Sequence, residues 1–185
     1  MPKNISKELE IEILNLPQKE KDRHLLRLIA QNKLLREQMQ FQLLEDEQDL
    51  AQRKNELRDW ISEMTAKAYP GTAFFLKSIR KMSAEAVWYR RVTKDKYGEV
   101  DLHLTYIEQT LEKQIRHVNI FSRKGDVLRT YLVKKVLSIL KMIGALHPDF
   151  HIDFSERVDK VLQLLHTFDT KIEAQKLNLP KSFSE

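Results

Sequence analysis

The chain has 185 residues and a mass of 22.0 kDa, the size of one ordinary domain or two very small ones. Its 4 Gly are isolated and its Cys count is zero, so Gly-rich phosphate loops, disulfides, zinc–thiolate sites and cysteine nucleophiles are excluded. A formal charge of +5 and 42% hydrophobic residues fit a folded chain with a basic surface rather than a disordered one.

Leu outnumbers Ile and Val together by 26 to 22 while Gly and Pro are scarce, a balance that favours helices joined by short connections. The opening residues Met1-Pro2-Lys3-Asn4-Ile5 lack the apolar run of a secretory leader, and the longest apolar stretch, Val136 to Leu146, is interrupted by Lys141. A cytoplasmic location without membrane insertion is the expectation.

In chain order, Ser6 caps a first short helix that ends near Leu14, with Leu9, Ile13 and Leu16 on one face. Pro17 suits the first position of the next helix. The apolar run from Leu25 through Leu43, Leu50 and Leu57 to Met64 predicts two long antiparallel helices, divided at the acidic segment Glu45–Asp49, where Asp46 caps the second. Tyr69-Pro70-Gly71 breaks the pattern. A helix over about 72–81 and a second, capped by Ser83 and ending near Thr93, are expected next.

After the turn Lys94–Gly98, Val100, Leu104, Ile107, Leu111, Ile115 and Val118 recur at helical spacing. The alternation Val100-Asp101-Leu102-His103-Leu104 also fits a hairpin with Trp88–Val92, but the longer helical period outweighs it. Residues 124–145 carry apolar side chains around most of a helical circumference, which predicts a central, enclosed helix with Leu137 in the core. Asp153 and Glu156 suggest an aspartate capping box opening a helix with Val158, Leu162 and Leu165 inward. The tail 181–185 has no pattern and is expected to be loose.

The expected fold is therefore all-α: one compact domain over 1–180 with seven or eight helices. Helix starts near 18, 70 and 124 raise a stacked, superhelical arrangement of helical pairs as the alternative.

Charge is uneven. Residues 1–66 carry a net −2, residues 67–141 a net +9 and residues 142–185 a net −2. Within the cationic block, Trp88, Tyr89, Arg90, Arg91 and Lys94 interleave aromatic rings with cations, as surfaces for single-stranded nucleic acid do. Arg123, Lys134 and Lys141 fall within about 20° of one helical face at 100° per residue. Unpaired ammonium groups are too costly to bury, so this stripe must be exposed or paired with acids. These eight residues form the candidate binding surface.

Catalysis has less support. No Gly-x-Ser-x-Gly elbow and no Glu-x-x-His repeat occurs, and Glu20/His24 and Glu99/His103 read as ordinary helix-face pairs. The segment His147-Pro148-Asp149-Phe150-His151-Ile152-Asp153 offers four potential ligands and is the best metal candidate, although turn and cap chemistry accounts for the same residues. No catalytic residue, metal ligand or cofactor is assigned. The expected function is non-enzymatic: a helical adaptor binding a protein partner through the cationic surface at 77–141, with sequence-tolerant nucleic-acid binding as the alternative and an unlocated metal-dependent or hydrolytic activity third.

Overall fold

The computed structural model describes residues 5–183; the start of the opening segment and the last two residues of the tail lie outside them. Among the described residues the chain is 82% helical with ten α-helices and no strand. The contacts group it into two units, residues 1–45 and 46–185.

The first unit holds α1 (Lys7–Asn15), α2 (Gln18–Gln31) and α3 (Lys33–Leu44). Ser6 caps α1 by accepting from the Leu9 amide, and Pro17 is itself the cap residue of α2. The long helix expected from 18 to 44 is broken at Asn32. The backbone there is extended (φ −114°, ψ 107°), and the Asn side chain accepts from the Leu35 amide to restart the helix as α3. Asn favours this exchange because its side chain replaces a helical backbone partner. None of the three helices contains a buried residue. Ile13, Leu16, Leu25 and Leu28 line an open groove of about 510 Å³.

The second unit is built from α4 (Glu47–Ala66), α5 (Thr72–Thr93), α6 (Lys96–Lys113), α7 (Ile115–Val118), α8 (Arg123–Gly144), α9 (His151–Thr167) and α10 (Lys171–Lys176). Asp46 caps α4 as expected, in a reciprocal box with Asp49. The two helices expected over 72–93 are one. No Gly or Pro interrupts them, and Ser83 is buried inside α5 instead of capping a new helix. Lys94 ends α5 in the left-handed region (φ 64°) and Asp95 starts α6, its Oδ1 accepting from the Gly98 amide at 2.8 Å. Gly98 is required here, since a Cβ would stand 2.2 Å from Asp95 Oδ2 and 2.9 Å from the Tyr89 ring. Segment 96–113 is helical and no hairpin forms.

The centre of this unit is α6, not the helix at 123–144. Every residue from Gly98 to Ile107 is buried, and α6 touches α4, α5, α7, α8 and α9. On α8, Leu128, Leu132, Val133, Val136, Ile139 and Ile143 are buried, but Leu137 and Leu140 are only partly so. Lys134, Ser138 and Lys141 take one side of α8 to solvent, so its apolar arc is narrower than its composition suggests. A stack in which each helical pair touches only the next would not enclose α6 on so many sides, so the compact arrangement describes this unit and the superhelical one does not.

Ion pairs join α6 to its neighbours. The buried Asp101 carboxylate accepts from Arg58 of α4 at 2.9 Å and from Arg157 of α9 at 2.7 Å, while Arg157 also grips Glu108 through two nitrogens. Burial works against the Arg157 charge, but Glu108 and Asp101 overcome it and hold the guanidinium more firmly protonated than usual. The helix α9 starts at His151 without a side-chain cap; Asp153, expected in a capping box, instead accepts from the Tyr97 hydroxyl at 3.2 Å. Of the tail expected to be loose, Phe183 is tied by its amide to Asp159 Oδ1 at 2.7 Å.

Candidate functional site: a cationic face around Glu99

Three helices converge on Glu99. It lies one turn into α6, buried, with its Oε2 2.7 Å from Arg90 Nε at the end of α5. Lys135 of α8, partly buried, acts on the same carboxylate. Burial pushes the Glu99 carboxyl above the usual range, and Arg90 and Lys135 pull it back. Lys135 in turn is pushed below the usual lysine range by its own burial. Two cations therefore share one enclosed acid, which leaves an excess of positive charge where α5 and α8 flank α6.

The sequence-predicted residues divide on this frame. Arg90 is held by Glu99. Tyr89 is buried and donates its hydroxyl to Asp95 at 2.7 Å, so it serves the α5–α6 corner and offers no ring to a partner. Trp88 is partly buried, with the Arg91 guanidinium 5.7 Å from its ring centre. Lys94 is exposed and donates to the Arg91 carbonyl at 3.0 Å. Arg123, Lys134 and Lys141 are exposed on α8, and none takes part in an ion pair among the described residues. The acids that could have paired with them at 46–49 are otherwise engaged in part, since Asp46 and Asp49 close the cap of α4.

Beneath this face runs a polar seam that sequence reasoning missed. Glu99, His103, Tyr106 and Thr110 are spaced 4, 3 and 4 residues apart, on one face of α6, and all are buried. Among the described residues His103 Nδ1 and Thr110 Oγ1 have no hydrogen-bond partner, while the Tyr106 hydroxyl is buried beside Ser83 and Tyr131. His103 Nε2 lies 4.0 Å from Glu99 Oε1. Burial, helped by the Lys135 charge, holds the His103 pKa down to about 3, so the ring is neutral at pH 7. The Glu99/His103 pair was expected to be an exposed helix-face pair, whereas the enclosure of α6 buries both. The usable signal was the helical spacing of the four polar residues, hidden by the strand-like alternation of Val100–Leu104. The seam is covered by neighbouring helices, so it presents no open face to a substrate.

The His147–Asp153 segment does not gather its four side chains. His147 Nδ1 lies 3.2 Å from Asp149 Oδ2, His151 Nε2 meets the Leu146 carbonyl at 3.3 Å and Asp153 faces Tyr97. Among the described residues no group of three His, Asp or Glu side chains is placed to hold a metal ion. Nor is any helix among them long and apolar enough to cross a membrane. Comparison with protein families, with curated proteins and with solved structures finds no match to this chain.

Proposed function

We propose that this chain is a non-enzymatic helical adaptor whose second unit presents the cations of α5 and α8 to an acidic protein partner. The observation that carries this reading is the state of Arg123, Lys134 and Lys141: exposed, on one face of α8, and without an ion pair among the described residues. Such charges steer an anionic partner and set its register more than they add raw affinity. A protein partner is preferred to nucleic acid because Tyr89, the ring closest to Arg90 and Arg91 in sequence, is buried and committed to Asp95, and Arg90 is already neutralised by Glu99.

The test titrates a labelled poly-glutamate peptide, single-stranded DNA and RNA against the protein at two salt concentrations, with wild type and the double variant Lys134→Gln/Lys141→Gln. The peptide should bind in a salt-sensitive way, and the double variant should weaken it about threefold to tenfold, at roughly 0.3–0.7 kcal/mol per exposed charge pair. Tighter binding of nucleic acid, with a log–log salt slope of about −3.5 to −4 for five or six phosphates, would replace the protein partner with a nucleic acid. Binding weaker than about 100 μM to all three at low salt would remove this face as a recognition surface.

A further inference from the structure

Six residues of α8 stand in one row: Arg123, Val127, Thr130, Lys134, Leu137 and Lys141. Their spacings are 4, 3, 4, 3 and 4, which keeps all six within about 40° of one line at 100° per residue. The row lies opposite Leu132, Ile139 and Ile143, which are buried, and it runs about five turns, or about 27 Å. Arg123, Lys134 and Lys141 are exposed, Val127 is 40% exposed, and Thr130 and Leu137 are partly buried. The row itself contains no acid. Asp126, the one acid of α8, lies at its edge and is paired with Arg129.

Alternating spacings of 4 and 3 make the seam along which a second helix runs beside the first at about 20°, each residue fitting between those of the facing helix. Val127, Thr130 and Leu137 are short enough to allow that approach, while the long stems of Arg123, Lys134 and Lys141 carry their charges past the contact. The outer row of α5, Lys77, Lys81, Ala84, Trp88 and Arg91, has the same spacing. There, however, Lys81 lies 5.4 Å from the Trp60 ring and Arg91 5.7 Å from the Trp88 ring, so cations of that row are engaged within the chain. A phosphate backbone fits the α8 row less well, because it makes no use of the aliphatic side chains that separate the cations.

We infer, resting on the acidic-partner reading above, that the partner docks as an acidic amphipathic helix laid along α8. Its carboxylates meet Arg123, Lys134 and Lys141, and aliphatic side chains between them cover Val127 and Leu137. The cations set the register, and the aliphatic contacts select a helix over an extended acidic segment.

The experiment titrates the full chain with a labelled peptide of about 24 residues, long enough to span the row as a helix. Glutamates and leucines sit in it at the spacings of the cations and aliphatic residues of the row, with alanine and glutamine elsewhere. The other arms are the same peptide with a central alanine replaced by proline, poly-glutamate, single-stranded RNA, and vesicles of neutral and of anionic lipid. The intact peptide should gain helicity on binding and bind at least about fivefold tighter than the proline version. Val127→Asp, at an exposed position, should weaken it at least about tenfold by setting a carboxylate against the peptide's own. Lys124→Gln removes a charge about 100° away from the row and should change the affinity less than about twofold. Equal affinity for the intact and proline peptides, with poly-glutamate still bound in a salt-sensitive way, would overturn the helix and leave the acidic partner standing. No binding by any acidic peptide would remove both. Tighter binding of RNA or of anionic vesicles, or unchanged affinity in Val127→Asp, would each overturn the docked helix as well.

Discussion

Leu104 and Leu137 differ by little in sequence and by much in place. Leu104 is fully buried on α6, whereas Leu137 sits partly buried on the outer side of α8. Leu104→Ala should cost about 2–5 kcal/mol in reversible urea melts, as large cavities in enclosed sites do. Leu137→Ala should cost less than half as much, because its site retains water on one side. A larger loss at Leu137 would restore α8 as the centre of the unit. His103 gives the residue scale a pH dependence. Its pKa falls from 6.5 in the unfolded chain to about 3 in the fold, so the fold disfavours the proton. Stability from this residue is complete above about pH 6.5 and declines as pH falls toward 3, reaching a loss of about 2 kcal/mol at pH 5. His117, pushed down by burial and by Arg116, acts in the same direction, and Glu99, raised by burial, partly offsets both. Comparing melts at pH 7.5 and pH 5, His103→Gln should lose less stability on acidification than wild type. Equal losses would mean that His103 takes its proton without unfolding.

Helices in this chain end where a side chain replaces a backbone partner more than where Gly or Pro intervenes. Asn32 splits α2 from α3 through its own carbonyl. Gln114 separates α6 from α7 while its amide donates to the Thr65 and Lys67 carbonyls at 2.6 and 3.0 Å, closing the end of α4. Those orphan carbonyls at a helix C-terminus need such a donor. Between helices, Asp101 is the principal polar joint, since one carboxylate holds Arg58 and Arg157. Asp101→Ala should cost about 1–3 kcal/mol, less than a fully buried pair because both guanidiniums reach solvent. Asp101→Asn should recover part of that loss, as its carbonyl keeps one acceptor. If the alanine variant melts with wild type, the α4–α6–α9 joint is held by apolar packing alone.

The two units differ in what stabilises them. Residues 46–185 contain the whole buried core among the described residues, from Ile61 to Leu179. The helices of residues 7–44 bury no side chain, and short helices without a packed face are marginal in water. A fragment comprising residues 46–185 should therefore fold cooperatively and melt within about 3 °C of the full chain, a difference worth less than ~1 kcal/mol for a unit of this size. Residues 1–45 alone should show weak, non-cooperative helicity by circular dichroism. Failure of the 46–185 fragment to fold would mean that the first unit completes the core.

Periodicity alone determined that this chain is helical, because Leu-rich 3- and 4-residue spacing and scarce Gly and Pro act locally, within a few turns. Local chemistry likewise marked the caps at Ser6 and Asp46 and the break at Tyr69-Pro70-Gly71. The exposed stripe of Arg123, Lys134 and Lys141 was also legible, since the cost of burying a charge is the same in any fold. The tertiary structure decided which helix is enclosed. Apolar count favoured α8, but enclosure depends on how many neighbours pack around a helix, and α6 accepts buried Glu99, Asp101 and His103 because partners from other helices, or neutralisation, offset their desolvation. The same reason hid the Arg129–Glu173 ion pair. Its two residues are 44 positions apart, and no local spacing relates the cation to the carboxylate it meets.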